Sequence, residues 1–251
     1  MLHLNEKLPK AKCVYLGDTA HFPYGEKTSN EVTECASKSI QKIIDLWSPK
    51  AIVIACNTIS VTALDSLRKN FPSIPIIGTV PAIKLAAKLT KNKKIGLLAT
   101  TATVNHPYSK KLIEDFASDC TVFNRADPKL IDFIEKEYFN ASEKERLNAV
   151  KEAADFFKKN ACDTVILGCT HFTHIACEMR KVCGEKITVV DSRDGVINQA
   201  IRKINEGSLC FSQTDENPKN LTFYVTKANE KEEREYKTLC ENLRIPYGGK
   251  I

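Results

Sequence analysis

The amino-acid sequence predicts an α/β protein of two similar three-layer halves with mostly parallel sheets and an active site in the cleft between them. Short β-branched runs alternate with longer segments of helical period, which is typical of parallel sheets covered by helices. A strand–cysteine–helix arrangement occurs twice, at Cys56 and at Cys169. The 251 residues suffice for two small domains.

The composition excludes several classes of protein. The 43% hydrophobic and 27% charged residues are ordinary for a globular chain, and no apolar run reaches the ~18 residues of a membrane span. The 37 basic and 31 acidic residues interleave, which argues against a nucleic-acid partner despite the net charge of +6. The chain opens without an export signal, and ten dispersed cysteines indicate reduced thiols, so we expect a cytoplasmic protein.

The alternation of elements can be followed from the first residues onward. A capping box at Thr28 and Glu31 precedes apolar residues at helical spacing and predicts a helix from about Ser29 to Trp47. A second box, Ser142 with Glu145, predicts a helix that runs to about residue 160. The predicted strands are Lys12 to Leu16, Ala51 to Ala55, Ile74 to Ile77, Lys94 to Ala99, Thr121 to Phe123, Thr164 to Leu167, Ile187 to Val190 and Leu221 to Val225.

The two halves are not of equal length. Each cysteine strand is followed by a helix and a short strand, but the second half has an additional strand, Lys94 to Ala99, near its start. Since the first half has only Lys12 to Leu16 before its cysteine strand, its opening strand is expected to be missing. We predict a first domain of residues 1–81 plus 194–251 and a second of residues 82–193.

The position of the two cysteines predicts chemistry. Cys56 and Cys169 both follow a strand, and ligands of open α/β sheets bind beyond the carboxyl ends of the strands. Each also precedes a predicted helix, whose N-terminus lowers the pKa of a thiol and binds anions. The alternative is that both are small buried hydrophobic residues. Their polar neighbours favour the functional interpretation: Asn57, Thr58 and Ser60 beside one, Thr170 and His171 beside the other.

A metal site is the next alternative, because Cys169, His171, Cys177 and Cys183 lie close in sequence. Their spacing fits no paired zinc-ligand pattern, and the intervening segment is predicted to be one helix, so no metal is expected. His171 beside a thiol can stabilise or carry its proton. His21, His106 and His174 have no such neighbour, and we expect them to be capping or core residues.

Five motifs, in order along the chain, resemble those of bacterial glutamate racemase. They span about Lys12 to Ser192, and the Gly-Asp-Thr, Pro-Tyr-Gly and Gly-Cys-Thr-His segments favour the glutamate branch of the aspartate/glutamate racemase superfamily. The matching segments are Tyr15-Leu-Gly-Asp-Thr19 with Pro23-Tyr-Gly25-Glu-Lys27, Ala55-Cys-Asn-Thr58, Gly96-Leu-Leu-Ala-Thr100, Gly168-Cys-Thr-His171 and Val190-Asp-Ser192.

The resemblance implies a cofactor-independent two-base racemase that supplies D-glutamate for peptidoglycan. It assigns Cys56 and Cys169 as base and acid, one for each face of the substrate Cα. It also implies substrate contacts at Tyr24, Gly25, Asn57, Thr58, Thr170 and His171, and supporting carboxylates at Asp18 and Glu135. Either carboxylate could instead be an ordinary surface group, Glu135 more readily because it lies in a charged helix.

Two departures from the family pattern affect these expectations. Thr173-His174 replaces a Pro-Leu pair, and residues 1–12 contain no strand ending in Asp-Ser-Gly, whose side chains hold the substrate ammonium group in the family. Two explanations are open: a misassigned start site with about twenty residues lost, or a truncated chain. In either case we expect the 251-residue chain as given to be severely impaired. The alternatives are a racemase for aspartate or another small amino acid, and an inactive relic or binding protein of the same fold. Whether the chain is a monomer or a homodimer stays open.

Overall fold

The computed structural model describes residues 1–206 and 221–251, in which short strands alternate with helices as predicted. The strands are β1 Cys13–Gly17, β2 Ile52–Ile54, β3 Ile76–Gly78, β4 Lys94–Ala99, β5 Thr121–Ala126, β6 Thr164–Leu167, β7 Thr188–Val190, β8 Leu221–Val225 and β9 Tyr247–Lys250. The helices are α1 Leu2–Lys7, α2 Ser29–Trp47, α3 Asn57–Asn70, α4 Ile83–Leu89, α5 Thr101–Asn105, α6 Pro107–Phe116, α7 Pro128–Lys136, α8 Glu143–Lys159, α9 Ala176–Cys183, α10 Arg193–Glu206 and α11 Glu230–Leu243.

The second half is a four-stranded parallel sheet in the order β5-β4-β6-β7. Successive residues of β4 point to opposite faces, so Leu97 packs with α4 and α6 while Leu98 packs with α7 and α8. Both faces of the sheet are thus covered by helices. Gly96 allows Phe157 of α8 to approach the sheet, because a Cβ at this glycine would lie 2.3 Å from the phenyl ring.

The first half has a divided sheet. β1 pairs in parallel with β8, which pairs with β9, and β2 pairs in parallel with β3. Within the described residues β1 and β2 are not paired with each other, and a cavity of about 1500 Å³ lies between them. The missing opening strand, expected from the comparison of the two halves, stays a prediction.

The carboxyl-terminal residues return to the first half. β8 lies against β1, and Cys240 of α11 packs with Leu221 of β8 and with Ile245, which follows the helix. The strand β9 was not predicted from the sequence. The domain boundaries at residues 81 and 194 stay a prediction. No helix in the described ranges is both long and apolar enough to cross a membrane.

The two predicted capping boxes are present. Thr28 Oγ1 accepts a hydrogen bond from the Glu31 backbone N–H, and the Glu31 carboxylate accepts one from the Thr28 N–H at 2.8 Å. Ser142 and Glu145 make the same pair at the start of α8. Each cap contributes ~1 kcal/mol to helix stability, and these helices run from Ser29 to Trp47 and from Glu143 to Lys159, as the sequence predicts.

Candidate active site

Cys56 lies between β2 and α3, at the carboxyl end of the strand. It is the N-cap residue of α3, as the sequence predicts, and it is partly buried. Burial raises the pKa of the Cys56 thiol to about 12, and the nearby Cys169 adds to the effect, while the backbone N–H groups of Ile59 and Thr58 oppose it. The expectation that the helix N-terminus lowers the pKa of this thiol is therefore wrong, because desolvation outweighs the effect of the helix.

Cys169 follows β6 in the same way, but the segment after it is not one long helix. A single 3-10 turn, His171–Thr173, comes first, and α9 begins only at Ala176. The prediction that one helix spans this segment is wrong. The tight turn brings the His171 ring back toward the strand end, so that its Nδ1 lies 3.5 Å from Cys169 Sγ.

A hydrogen bond joins the two cysteine loops. Thr170 Oγ1 donates to the carbonyl oxygen of Ala55 at 3.0 Å, across 115 positions of sequence. This bond fixes the residue after Cys169 to the residue before Cys56. Both cysteines line the same cavity. The structure therefore brings the two repeat-related thiols together, one from each half.

His171 is held by a carboxylate on its far side. Its Nε2 hydrogen-bonds to Glu135 Oε1 of α7, while Nδ1 faces the Cys169 thiol. Although burial opposes the charge, these two hydrogen bonds raise the pKa of His171 to about 10. Glu135 is thus not an isolated surface carboxylate: it orients the imidazole and keeps it protonated at neutral pH. A proton donor stands beside Cys169.

The start of α3 carries polar groups that face inward. Asn57 is 2% exposed, and both polar atoms of its side chain lack a hydrogen-bond partner among the described residues. Thr58 Oγ1 lies 3.0 Å from Thr100 Oγ1 at the end of β4, so this contact also crosses between the halves. Buried amides without partners are rare, and one at a strand end beside a thiol is suited to bind a polar ligand.

The loop before α2 covers the site. Residues 19–26 form two 3-10 turns, and the Phe22 ring lies 6.0 Å from the His171 ring, centroid to centroid. Gly25 packs on Thr100, where a Cβ would lie 3.2 Å from the threonine Cβ. Tyr24 packs against the first-half core next to Cys56 and donates its hydroxyl hydrogen to Asp18. The loop is therefore held to both halves.

Asp18 holds this loop in place, because both oxygens of its carboxylate are hydrogen-bonded to residues of the protein. Besides Tyr24, its carboxylate accepts from Ser39 at 2.7 Å, from Thr226 at 2.9 Å, and binds His21 Nδ1 at 2.9 Å. Burial disfavours the charge, but these hydrogen bonds together hold the pKa of Asp18 below its ordinary value. Asp18 thus connects α2, through Ser39, and the residue after β8, Thr226, to the covering loop.

Replacing Asp18 with asparagine should destabilise the protein by about 2 kcal/mol at pH 7, because an amide cannot accept all of these hydrogen bonds. Folding lowers the pKa of Asp18. The ionised carboxylate therefore contributes to folding stability above the pKa of the unfolded chain, near ~3.9, and this contribution is lost as pH falls through the lower pKa of the folded protein. The stability difference between the parent and Asp18→Asn should therefore shrink below about pH 4.

The measurement is denaturant unfolding from pH 3 to pH 7, with Asp45→Asn as the control, because Asp45 is an exposed carboxylate of α2. Equal stability of Asp18→Asn and the parent at pH 7 would contradict the anchoring role.

The other histidines and cysteines have structural contacts. His106 is the N-cap of α6, and the His174 ring packs edge-on against Phe139. The cysteines described by the structure are free thiols. Within residues 1–206 and 221–251, no three histidine, cysteine or acidic side chains converge as a metal-ligand set.

Some contacts of the site were not predicted from the sequence. Ser39 and Thr226 were not singled out at all, and each becomes relevant only through its hydrogen bond to Asp18, 21 and 208 positions away. Thr100 belongs to a quoted motif, but its contact with Thr58 was not predicted. The sequence signal that could have found them is the polar residues that follow β4 and β8, because the carboxyl ends of parallel strands meet at one edge of a sheet, where ligands bind.

The chain is similar to proteins of a known family. The Asp/Glu/Hydantoin racemase family model matches residues 3–200. A glutamate racemase of Proteus mirabilis is 42% identical and aligns over 99% of this chain and 83% of its own length. A glutamate racemase of Treponema pallidum is 37% identical, over 90% of this chain and 82% of its own length.

Solved structures show the same architecture. Escherichia coli glutamate racemase, crystallised with L-glutamate and the activator UDP-MurNAc-Ala, matches with a TM-score of 0.87 at 26% identity, over 99% of this chain and 91% of that one. The Francisella tularensis glutamate racemase in complex with D-glutamate matches with a TM-score of 0.78 at 26% identity, over 99% and 90%. The α/β fold with mostly parallel sheets is thereby confirmed.

Proposed function

The chain belongs to the Asp/Glu/hydantoin racemase family, and we propose that it interconverts L-glutamate and D-glutamate by a two-base mechanism that needs no cofactor. One observation carries the proposal: Cys56 and Cys169, from two similar halves, line a single cavity. The choice of glutamate over aspartate rests on relatives at 36–42% identity that carry the name glutamate racemase.

The chemistry requires a proton to leave one face of Cα and another to arrive at the opposite face. One cysteine, as thiolate, removes the Cα proton, and the electron pair of the C–H bond is delocalised into the α-carboxylate. The other cysteine, as thiol, then donates its proton to the opposite face. Each turnover leaves the first cysteine protonated and the second deprotonated, so the same pair catalyses the reverse reaction.

The two cysteines have different surroundings. Burial raises the pKa of Cys56, so this residue begins as a thiol that can donate a proton. Cys169 has a protonated His171 within 3.5 Å, and Glu135 keeps that imidazole in place. The Asn57 amide supports binding of a substrate carboxylate, because its side-chain N–H groups are buried donors without a partner among the described residues. The N-terminus of α3 also favours an anion at this position. Thr58, Thr170, Tyr24 and Gly25 complete the proposed substrate contacts.

We propose that the activity is cytoplasmic and that its product, D-glutamate, is used for peptidoglycan. The proposed mechanism needs no second subunit, because one chain supplies both cysteines.

Racemisation in D₂O tests the proposal. Each turnover should place one deuterium on Cα of the product, because a thiol exchanges its proton with solvent. The measurement is enantiomer-resolved mass spectrometry of L-glutamate incubated with the protein, repeated with EDTA and with hydroxylamine, which traps pyridoxal phosphate.

Activity should persist under both additions, and L-aspartate should react more slowly. Product that retains hydrogen at Cα, or activity that depends on an added cofactor, would contradict the mechanism. Faster turnover of aspartate would contradict the choice of substrate. A variant carrying both Cys56→Ser and Cys169→Ser is the control and should give no labelled product.

A further inference from the structure

A second hydrogen bond joins the turn of His171 to the end of α7. Tyr138, two residues beyond the helix, donates its hydroxyl hydrogen to the backbone carbonyl oxygen of His174 at 2.8 Å. Tyr138 follows Glu135 by three positions, and His174 follows His171 by three positions. Because residues three apart in a helical turn lie on the same side, this bond lies next to the one between Glu135 and His171. The turn is therefore held to the α7 segment at both of its ends.

The turn itself is rigid enough to pass a position from His174 to His171. The His174 N–H donates to the carbonyl oxygen of His171 at 3.0 Å, which closes the 3-10 turn. The backbone N–H and the hydroxyl group of Thr173 both donate to the carbonyl oxygen of Thr170, at 3.1 and 2.7 Å. Proline at position 173 would have neither donor. The Thr173-His174 pair thus supplies hydrogen bonds that a Pro-Leu pair would not supply in the same way.

Tyr138 is itself fixed by its neighbours. The Phe139 ring packs edge-on against its ring at 5.3 Å, and the Arg146 guanidinium lies over the same ring at 5.3 Å. Oε1 of the buried Glu178 lies 3.3 Å from the Tyr138 hydroxyl oxygen. Burial and the nearby Glu178 carboxylate raise the pKa of Tyr138, so the hydroxyl group keeps its proton at neutral pH.

The hydroxyl group acts on His171 through position, because its hydrogen goes to the backbone of the turn and it carries no charge. Burial and the imidazolium of His171 lower the pKa of His174, and burial raises the pKa of Tyr15 and of Tyr236 to about 12, so these three groups are neutral as well. Replacing Tyr138 with phenylalanine changes no charge near the imidazole. Among the described residues, the titratable and charged groups around His171 and Glu135 are Cys169, His174, Arg193 of α10, Tyr15 of β1 and Tyr236 of α11.

We propose that Tyr138 is a positioning residue of the candidate active site. Its hydroxyl group holds the carbonyl group of His174, and the turn then keeps His171 Nδ1 directed to Cys169 and Nε2 directed to Glu135. Without this hydroxyl group the turn moves more freely relative to α7, and the hydrogen bond from His171 to Glu135 weakens. The consequence for catalysis rests on the proposed racemase function, whereas the positioning of His171 does not.

Tyr138→Phe tests the positioning without an activity assay. The change removes the hydroxyl group and keeps the ring with its contacts to Phe139 and Arg146. The measurement is the pKa of His171 from an NMR titration of the imidazole carbons between about pH 5 and about pH 11, and the signal missing from His171→Asn identifies the residue. We expect the pKa of His171 to fall by at least ~0.5 pH units, because a looser bond to Glu135 stabilises the imidazolium less.

Kinetics give a second readout of the same variant. Tyr138→Phe should lower kcat for racemisation about tenfold and change KM less than about twofold, because the misplaced imidazole assists proton transfer and does not hold the substrate. The basic limb of the pH profile should move to lower pH together with the pKa of His171. A loss of general stability alone would move neither the pKa nor the basic limb.

Two control variants separate the hydroxyl–carbonyl bond from its surroundings. Phe139→Leu removes the other aromatic neighbour of the His174 ring and keeps the Tyr138 hydroxyl group. Glu178→Gln removes the carboxylate beside that hydroxyl group and keeps the His174 carbonyl as acceptor. In both variants the pKa of His171 should stay within ~0.2 pH units of the parent value. Circular dichroism of each variant establishes that it is folded.

Several outcomes would overturn the proposal. An unchanged pKa of His171 in Tyr138→Phe would show that the hydroxyl group does not position the imidazole. An equal fall in Phe139→Leu would point to general loosening, and an equal fall in Glu178→Gln would point to Glu178 instead of the His174 carbonyl. Activity of the parent is read separately. A lowered pKa in Tyr138→Phe with no racemisation by the parent supports the positioning and counts against the proposed function, and racemisation with an unchanged pKa does the reverse.

Discussion

Replacing either Cys56 or Cys169 with serine is expected to lower kcat for racemisation at least about 1000-fold in both directions, which corresponds to about 4 kcal/mol of transition-state stabilisation. Each cysteine serves one face of Cα, and a serine hydroxyl is far too weak an acid to form the alkoxide that would replace a thiolate. Because one missing base blocks both directions, neither L- nor D-glutamate should be racemised at a useful rate.

The measurement is the initial rate from each enantiomer, followed by circular dichroism. Cys177→Ser is the matched control, because Cys177 is an exposed thiol and is not among the residues that line the cavity. It should racemise at the parent rate. A Cys56→Ser or Cys169→Ser variant with near-parent activity would remove that residue from the mechanism.

His171→Asn is expected to lower kcat about 100-fold, within the range of lost acid–base assistance, because Cys169 loses the proton donor 3.5 Å from its sulfur. The pH profile gives a sharper readout than the rate alone. Hydrogen bonds raise the pKa of His171 to about 10, so activity that depends on the imidazolium should persist to about that pH and then fall.

Glu135→Gln should move this basic limb to lower pH, because the carboxylate helps to hold the proton on His171. The raised pKa of His171 also stabilises the folded protein. This stabilisation is fully present below the pKa of histidine in the unfolded chain, near ~6.5, and it is lost as pH rises through the pKa of His171 in the folded protein. Asp132→Asn is the control, since Asp132 is an exposed residue of α7 paired with Lys136. An unchanged basic limb in Glu135→Gln would show that Glu135 does not tune His171.

Much of the fold could be predicted because its signals are local. The helix from Ser29 to Trp47 has both a capping box and a continuous apolar stripe, and the strand from Lys94 to Ala99 is an uninterrupted apolar run after charged residues. β9 escaped prediction, because Tyr247 to Lys250 contains two glycines and a lysine and has no strand propensity of its own. It forms because β8 offers an edge to pair with.

The same distinction between local sequence signals and distant contacts holds for the candidate site. Cys56 and Cys169 could be found because strand ends are marked in the sequence. The pairing of His171 with Glu135 could not, because it depends on a 3-10 turn where a helix is predicted and on the rotation of α7. The raised pKa of Cys56 likewise depends on desolvation by residues from several elements, which opposes the local effect of the helix N-terminus.

The central claim is that each thiol acts on one face of Cα, and enantiomer-resolved exchange in D₂O tests it most directly. A variant with a single remaining thiol can remove a proton and return a deuteron on the same face, which labels one enantiomer without inverting it. Cys56→Ser and Cys169→Ser should therefore each incorporate deuterium into one enantiomer of glutamate, and the enantiomer should be opposite for the two variants. Exchange of both enantiomers by either single variant, or of the same enantiomer by both, would contradict the assignment of one cysteine to each face.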